Sequence, residues 1–135
     1  MAVDLYLKNG RVVTETGEVY RGVAVQDGKI ERLIGDDRSI DARQEIDLRG
    51  RLVLPGLVDD HVHFNEPGRE HWEGYTTGSK AAAAGGVTTF MEMPLNATPP
   101  TINAQNLHNK RAAVADKAVV DYALWGGLVL WLTWF

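Results

Sequence analysis

The sequence predicts an α/β chain in two parts: a β-sandwich-like portion over residues 1–54 and a βαβαβ run over 55–129, with an atypical apolar tail at 130–135. Two observations predict it. The turn dipeptides Asn9-Gly10 and Asp27-Gly28 punctuate runs in which apolar and charged residues interleave, the pattern of short, half-covered strands joined by tight turns. After Pro55-Gly56, β-rich segments alternate with helix-forming ones, and that alternation implies parallel strands with right-handed crossovers.

In chain order, Val3 to Lys8 and Arg11 to Thr14 flank Asn9-Gly10 and predict a hairpin; Glu18 to Val25 and Lys29 to Ile34 flank Asp27-Gly28 and predict another. Gly35 to Gln44 is polar and turn-like, and Glu45 to Leu54 resumes β character. Leu57 to Phe64 reads as a strand. Trp72 to Ala84 is a run of helix formers that Gly85-Gly86 stops. Val87 to Met93 is β-rich until Pro94 breaks it. Thr101 is placed to cap a helix reaching about Lys117, and Ala118 to Leu124 follows as a third strand.

Fourteen basic residues against 18 acidic give a net charge of −4, which disfavours a surface built to neutralise phosphates and a polybasic membrane anchor. With no cysteine, disulfide frameworks, thiolate-bound zinc, iron–sulfur clusters and thiol nucleophiles are all excluded. The apolar stretch from Tyr122 to Phe135 is shorter than the roughly 18 residues that span a bilayer. The expectation is a cytoplasmic protein with neither nucleic acid nor membrane as a partner. At 135 residues the chain is about half the length of a (β/α)₈ barrel, so any barrel signal belongs to an incomplete one.

The sharpest chemical feature is His61-Val62-His63 at the end of a strand, where residues two apart project from one face. Two neighbouring imidazoles make half of a metal site, because the neutral ring nitrogen is a common ligand for zinc and similar ions. Asp59 shares the face and could accept a ring N–H. Two exposed or hydrogen-bonded histidines that sit together by chance are the alternative. A catalytic zinc takes about three protein ligands, and the remaining histidines, His71 and His108, lie in a polar loop and in a helix. Asn65, Arg69 and Asn96 sit on loops that follow strands and are candidates to meet a substrate's polar groups. For Arg69 the alternative is an ion pair with Glu66 or Glu70. Lys80, Lys110 and Lys117 read as solvated helix-face charges.

The stretch Asp59-x-His61-Val62-His63-Phe64-Asn65-Glu66-Pro67-Gly68 resembles the first-strand signature of the cyclic amidohydrolases, the group containing dihydroorotase, dihydropyrimidinase (hydantoinase) and allantoinase. Trp72-Glu73-Gly74, the run from Thr77 to Thr89, and Glu92-Met93-Pro94-Leu95-Asn96 resemble the allantoinase branch in particular, and the similarity covers most of residues 3–129. The resemblance implies a metal-dependent (β/α)₈ TIM barrel beside a small β-sandwich. In such enzymes two divalent ions, often zinc, activate water for attack on a ring amide. It implies His61 and His63 as metal ligands, allantoin as the small cyclic amide substrate, opened to allantoate, and homo-oligomeric full-length relatives. Dihydroorotase-like sequences usually carry an arginine, suited to a carboxylate, where this chain has Asn65.

The family's bridging lysine, its two later metal histidines and its general-base aspartate fall beyond residue 135, so no catalytic residue is assigned in this chain. About three of eight barrel strands are expected, and the apolar end, with Trp131 and Trp134, does not resemble the family's continuation. The expectation is a truncated chain, inactive alone. The alternatives are a hydantoinase- or dihydroorotase-like fragment, or a non-catalytic remnant that associates with a fuller homologue.

Overall fold

A computed structural model describes residues 2–35 and 38–129. The chain divides into two compact units, 1–55 and 56–135, and the apolar tail at 130–135 lies outside the described residues.

The first unit is a five-stranded sheet. Its strands are β1 (Val3–Thr14), β2 (Gly17–Gln26), β3 (Lys29–Gly35), β4 (Ala42–Asp47) and β5 (Leu52–Val53), in the order β3-β2-β1-β4, with β5 also paired to β1. β1–β2 and β2–β3 are antiparallel, while β4 and β5 run parallel to β1. Val3, Tyr6, Ala24 and Ile34 form the core, with Ile40 and Ala42 packed against it.

The hairpin expected at Asn9-Gly10 is not formed. β1 runs straight through these residues, with a register irregularity between Leu7 and Gly10 and Asn9 at φ 58°. The reason is chemical: Asn-Gly specifies a left-handed backbone, and a bulge satisfies that as well as a turn does. Asn9 Nδ2 then donates to Asp47 Oδ1 at 3.0 Å, and the chain reverses at Glu15-Thr16, where Thr14 Oγ1 donates to the Gly17 carbonyl at 2.8 Å. The second expected turn, Asp27-Gly28, forms with both residues at positive φ.

The second unit is a parallel sheet, β6 (Leu57–Val62), β7 (Val87–Glu92) and β8 (Asp121–Leu124) in sequential order, with α1 (Tyr75–Ala84) and α2 (Ala104–Val114) in the crossovers. Phe64, Tyr75, Phe90 and Val114 form its core, and Val62 and Tyr122 pack against them. The rings meet edge to face, Phe64 against Phe90 at 4.7 Å and against Tyr75 at 5.5 Å, a favoured geometry for aromatic quadrupoles. Gly78 is required here, because a Cβ on it would collide with the Phe64 ring.

Both helices begin later than the sequence predicts. Trp72 belongs to a turn, its N–H donating to the Arg69 carbonyl at 3.0 Å, and α1 starts after the extended Gly74. Asn103 caps α2 in place of Thr101, its side chain accepting from Asn106 N–H at 2.8 Å. Thr101 is held in the preceding loop by its own N–H, which donates to the Pro94 carbonyl at 2.8 Å.

Lys110 also departs from the expectation of a solvated charge. It is 1% exposed and lies 2.6 Å from Glu92 Oε2, because it shares the inward face of α2 with Val114, four residues on. Lys117 pairs with the buried Glu66 and keeps part of its side chain in solvent. Lys80 is exposed.

Candidate functional site: the histidine pair at the end of β6

Val62 packs into the aromatic core, so strand alternation turns its neighbours His61 and His63 to the opposite face of the sheet. Their ring centroids lie 5.3 Å apart, and both side chains are exposed. The β6–β7 register slips between Asp59 and Val62, which places an irregularity at the residues that carry the first imidazole. Bulges of this kind re-aim side chains beside functional sites. Asp59 Oδ1 accepts the backbone N–H of His61 at 3.1 Å. The Asp59 carboxylate thereby braces the main chain at His61.

The loop after β6 is tightly organised. Asn65 is 7% exposed and adopts φ 57°. Its Nδ2 donates to the Glu73 carbonyl at 3.5 Å, and its Oδ1 accepts from Asn96 Nδ2 at 3.0 Å. The structure thus brings together two of the predicted polar residues from different loops. Arg69 stands apart from them, its guanidinium 5.0 Å from the centroid of the Trp72 ring, a cation–π contact rather than an ion pair with Glu66 or Glu70. Glu70 instead accepts the Gly68 N–H at 2.8 Å. That bond first, and the residue's own backbone N–H second, hold the Glu70 carboxyl below the ordinary value.

Beneath this loop lies a buried ionic chain that sequence reasoning missed. Glu66, 2% exposed, accepts the Tyr75 N–H at 2.9 Å and pairs with Lys117. The Tyr75 hydroxyl donates to Glu92 Oε2, and Lys110 pairs with the same carboxylate. Burial first, and the Glu92 charge second, push the Tyr75 hydroxyl far above its ordinary value. One signal was available: Glu92 lies two residues from Phe90 on β7, so a charged side chain shares the face of a core aromatic.

His71 and His108 are exposed, His71 against Trp72 with ring centroids 5.9 Å apart. Neither joins the pair: among the described residues no set of three or more His, Cys, Asp or Glu gathers where one cation could be held.

The model of the amidohydrolase family matches residues 52–131. The chain belongs to the amidohydrolase family. It is 53% identical over 128 residues to an allantoinase of Rubrobacter xylanophilus, covering 95% of this chain and 28% of that protein. To an allantoinase of Bacillus velezensis it is 49% identical over 129 residues, covering 96% of this chain and 28% of that protein. Among solved structures it is similar to the L-hydantoinase (dihydropyrimidinase) of Arthrobacter aurescens, with a TM-score of 0.85 and 34% identity over 93% of this chain and 28% of that one. The chain therefore spans little more than a quarter of the length of the relatives it matches. The family is metal-dependent. The imidazole pair supplies two donors of suitable chemistry for a divalent cation, while a site of three or more protein ligands needs others from outside the described residues.

Proposed function

We propose that this chain carries part of the active site of a cyclic amidohydrolase that opens allantoin to allantoate. The observation that carries the reading is the exposed His61–His63 pair at the end of β6, in a chain about half identical to allantoinases. In this reading the two imidazoles are ligands of a divalent cation, assigned as zinc from the nitrogen donors. When bound, the cation supplies Lewis-acid polarisation of a ring carbonyl. Asp59 holds the His61 peptide by accepting its N–H.

Asn65, Arg69 and Asn96, on the loops after β6 and β7, define the polar surroundings in which the ring docks. Allantoin is neutral and amide-rich. A carboxamide, which both donates and accepts, suits it better than the fixed cation a carboxylate-bearing ring would call for. No group of the chain is assigned to proton transfer, and turnover requires residues beyond those present here.

A chimera tests the proposal. Residues 57–129 replace the matching stretch of the Rubrobacter xylanophilus allantoinase, and allantoate formation is followed with zinc present. The chimera is expected to open allantoin, and the same chimera with His61→Ala to lose that activity. A folded, metal-loaded chimera that leaves allantoin intact, or one indifferent to His61→Ala, would contradict the reading.

A further inference from the structure

The register of β6 against β7 skips two residues near the end of β6. Asp59 stands opposite Phe90 and Val62 opposite Glu92, so Asp60 and His61 have no register partners of their own. An extra residue in one strand takes its peptide out of the regular ladder, and a backbone C=O or N–H so released needs another partner. Here side chains supply both. The His61 N–H donates to Asp59 Oδ1 at 3.1 Å, and the Asp60 carbonyl accepts from Trp125 Nε1–H at 3.1 Å.

The two backbone groups belong to one peptide unit. The Asp60 C=O and the His61 N–H are opposite edges of a single planar amide, so a rotation of that plane disturbs both bonds at once. Fixing the plane constrains the backbone entering the His61 Cα, and with it the direction of the bond that carries the imidazole.

The two anchors differ in origin. Asp59 is a neighbour in sequence and its bond is local. Trp125 follows β8, lies 65 residues from Asp60 in the chain, and is separated from β6 by the middle strand of the sheet. Its backbone N–H donates to the Glu92 carbonyl of β7 at 2.9 Å, which docks the residue on the middle strand while the indole reaches on to β6. Trp125 is 48% exposed, and an indole has one donor and no acceptor. That donor goes to a carbonyl whose residue the β6–β7 register leaves unpaired.

We infer that Trp125 is a positioning residue for the histidine pair: from the end of β8 its indole N–H holds the Asp60–His61 peptide and so aims the His61 imidazole at a cation shared with His63. The inference rests on the proposed role of the two imidazoles as ligands of a divalent cation and adds a residue to it. Trp125 acts only through His61, because its side chain offers no lone pair to a metal. Coordination tolerates about 0.2 Å in ligand distance, so a tilted peptide is felt as lost affinity.

The test uses the full chain, labelled with ¹⁵N, and zinc ions as the probe. In the parent the Trp125 indole N–H resonance is expected to shift at the same zinc equivalents as the Cε1–H protons of His61 and His63. Trp125→Phe keeps an aromatic ring and removes the donor. It is expected to weaken zinc binding by about three- to tenfold, the range of one neutral hydrogen bond, while the near-ultraviolet dichroism of the buried rings is retained. In the His61→Ala background the same substitution is expected to leave the residual zinc affinity unchanged. The parent titration needs no variant, so it decides the matter even where Trp125→Phe loses that dichroism.

Three results would overturn the inference, and they are distinguishable. A stationary Trp125 indole resonance while His61 and His63 respond removes the coupling and leaves the proposed function standing. An equal loss of zinc affinity in the parent and His61→Ala backgrounds means that Trp125 does not act through His61. No response of either histidine to zinc in the parent defeats the cation reading of the pair, and the role of Trp125 with it.

Discussion

The two units of this chain handle charge in opposite ways. In the first, ion pairs lie on the surface: Lys8–Glu45, Arg11–Glu18 and Arg43–Asp4 all join side chains that are at least 31% exposed. In the second, Glu66 of the loop after β6 and Glu92 of β7 are buried, and Lys110 is buried with them. Solvent screens the first kind, and such pairs contribute little. The second kind offers little net stability over an apolar replacement, yet removing one partner strands a buried charge. The difference shows where the molecule is exacting. The first sheet tolerates rearranged charges, whereas the loops flanking the histidine pair stand on ions that must all be matched.

The largest effect is expected from Lys110→Ala, which leaves the Glu92 carboxylate buried without its cation. Breaking such a pair costs about 3–5 kcal/mol, and loss of near-ultraviolet dichroism from the Tyr75, Phe90 and Tyr122 rings reports it. Retained dichroism and an unchanged denaturation midpoint would erase the contrast between the units.

Tyr75→Phe removes a hydroxyl that donates to the same carboxylate, with an expected loss of about 1.5–3 kcal/mol, the range for a hydrogen bond to a charged group. It also sharpens the pH response. Because the folded value for Tyr75 is raised above 10.0, its stabilisation is complete below pH 10.0 and is lost as pH rises above that point, where only the unfolded chain ionises readily. Alkaline denaturation of the second unit should therefore be shallower in Tyr75→Phe than in the parent.

A smaller effect comes at the acid end. The Glu70 value is lowered from 4.5, so its contribution is present above pH 4.5 and fades as pH falls through the folded value. Protection of the Gly68 amide, measured against an unstructured amide at the same pH, should fall in that window, and Glu70→Gln should remove the dependence. The smallest effect is expected from Lys8→Ala in the first sheet. Its midpoint should match the parent's at moderate salt, because the Lys8–Glu45 pair is solvent-exposed.

How much of this was legible in the sequence depends on how local the signal was. The order of strands and helices in the second unit, and the placement of His61 and His63 at a strand end, follow from periodicity and turn chemistry over a few residues. The Asp27-Gly28 turn is equally local. Asn9-Gly10 was misread because a left-handed residue such as Asn9 does not say whether the chain reverses or only bulges, and β1 instead continues into pairing with β4 and β5, more than 30 residues away. Lys110 looked like a surface charge because its partner Glu92 lies on a different element. The Asn65–Asn96 bond spans two loops and could not be inferred from either. Helix starts moved for a related reason: Thr101 has capping chemistry, but its hydroxyl is buried with no hydrogen-bond partner among the described residues, and Asn103 makes the capping bond.

The central claim, that His61 and His63 act together on one cation, is most directly tested by titrating the full chain with zinc while observing the Cε1–H resonances of all four histidines. The account predicts that His61 and His63 respond together at the same zinc equivalents, that His71 and His108 stay in place, and that His61→Ala abolishes the response of His63. Four histidines responding alike, or a His63 response that survives His61→Ala, would contradict it.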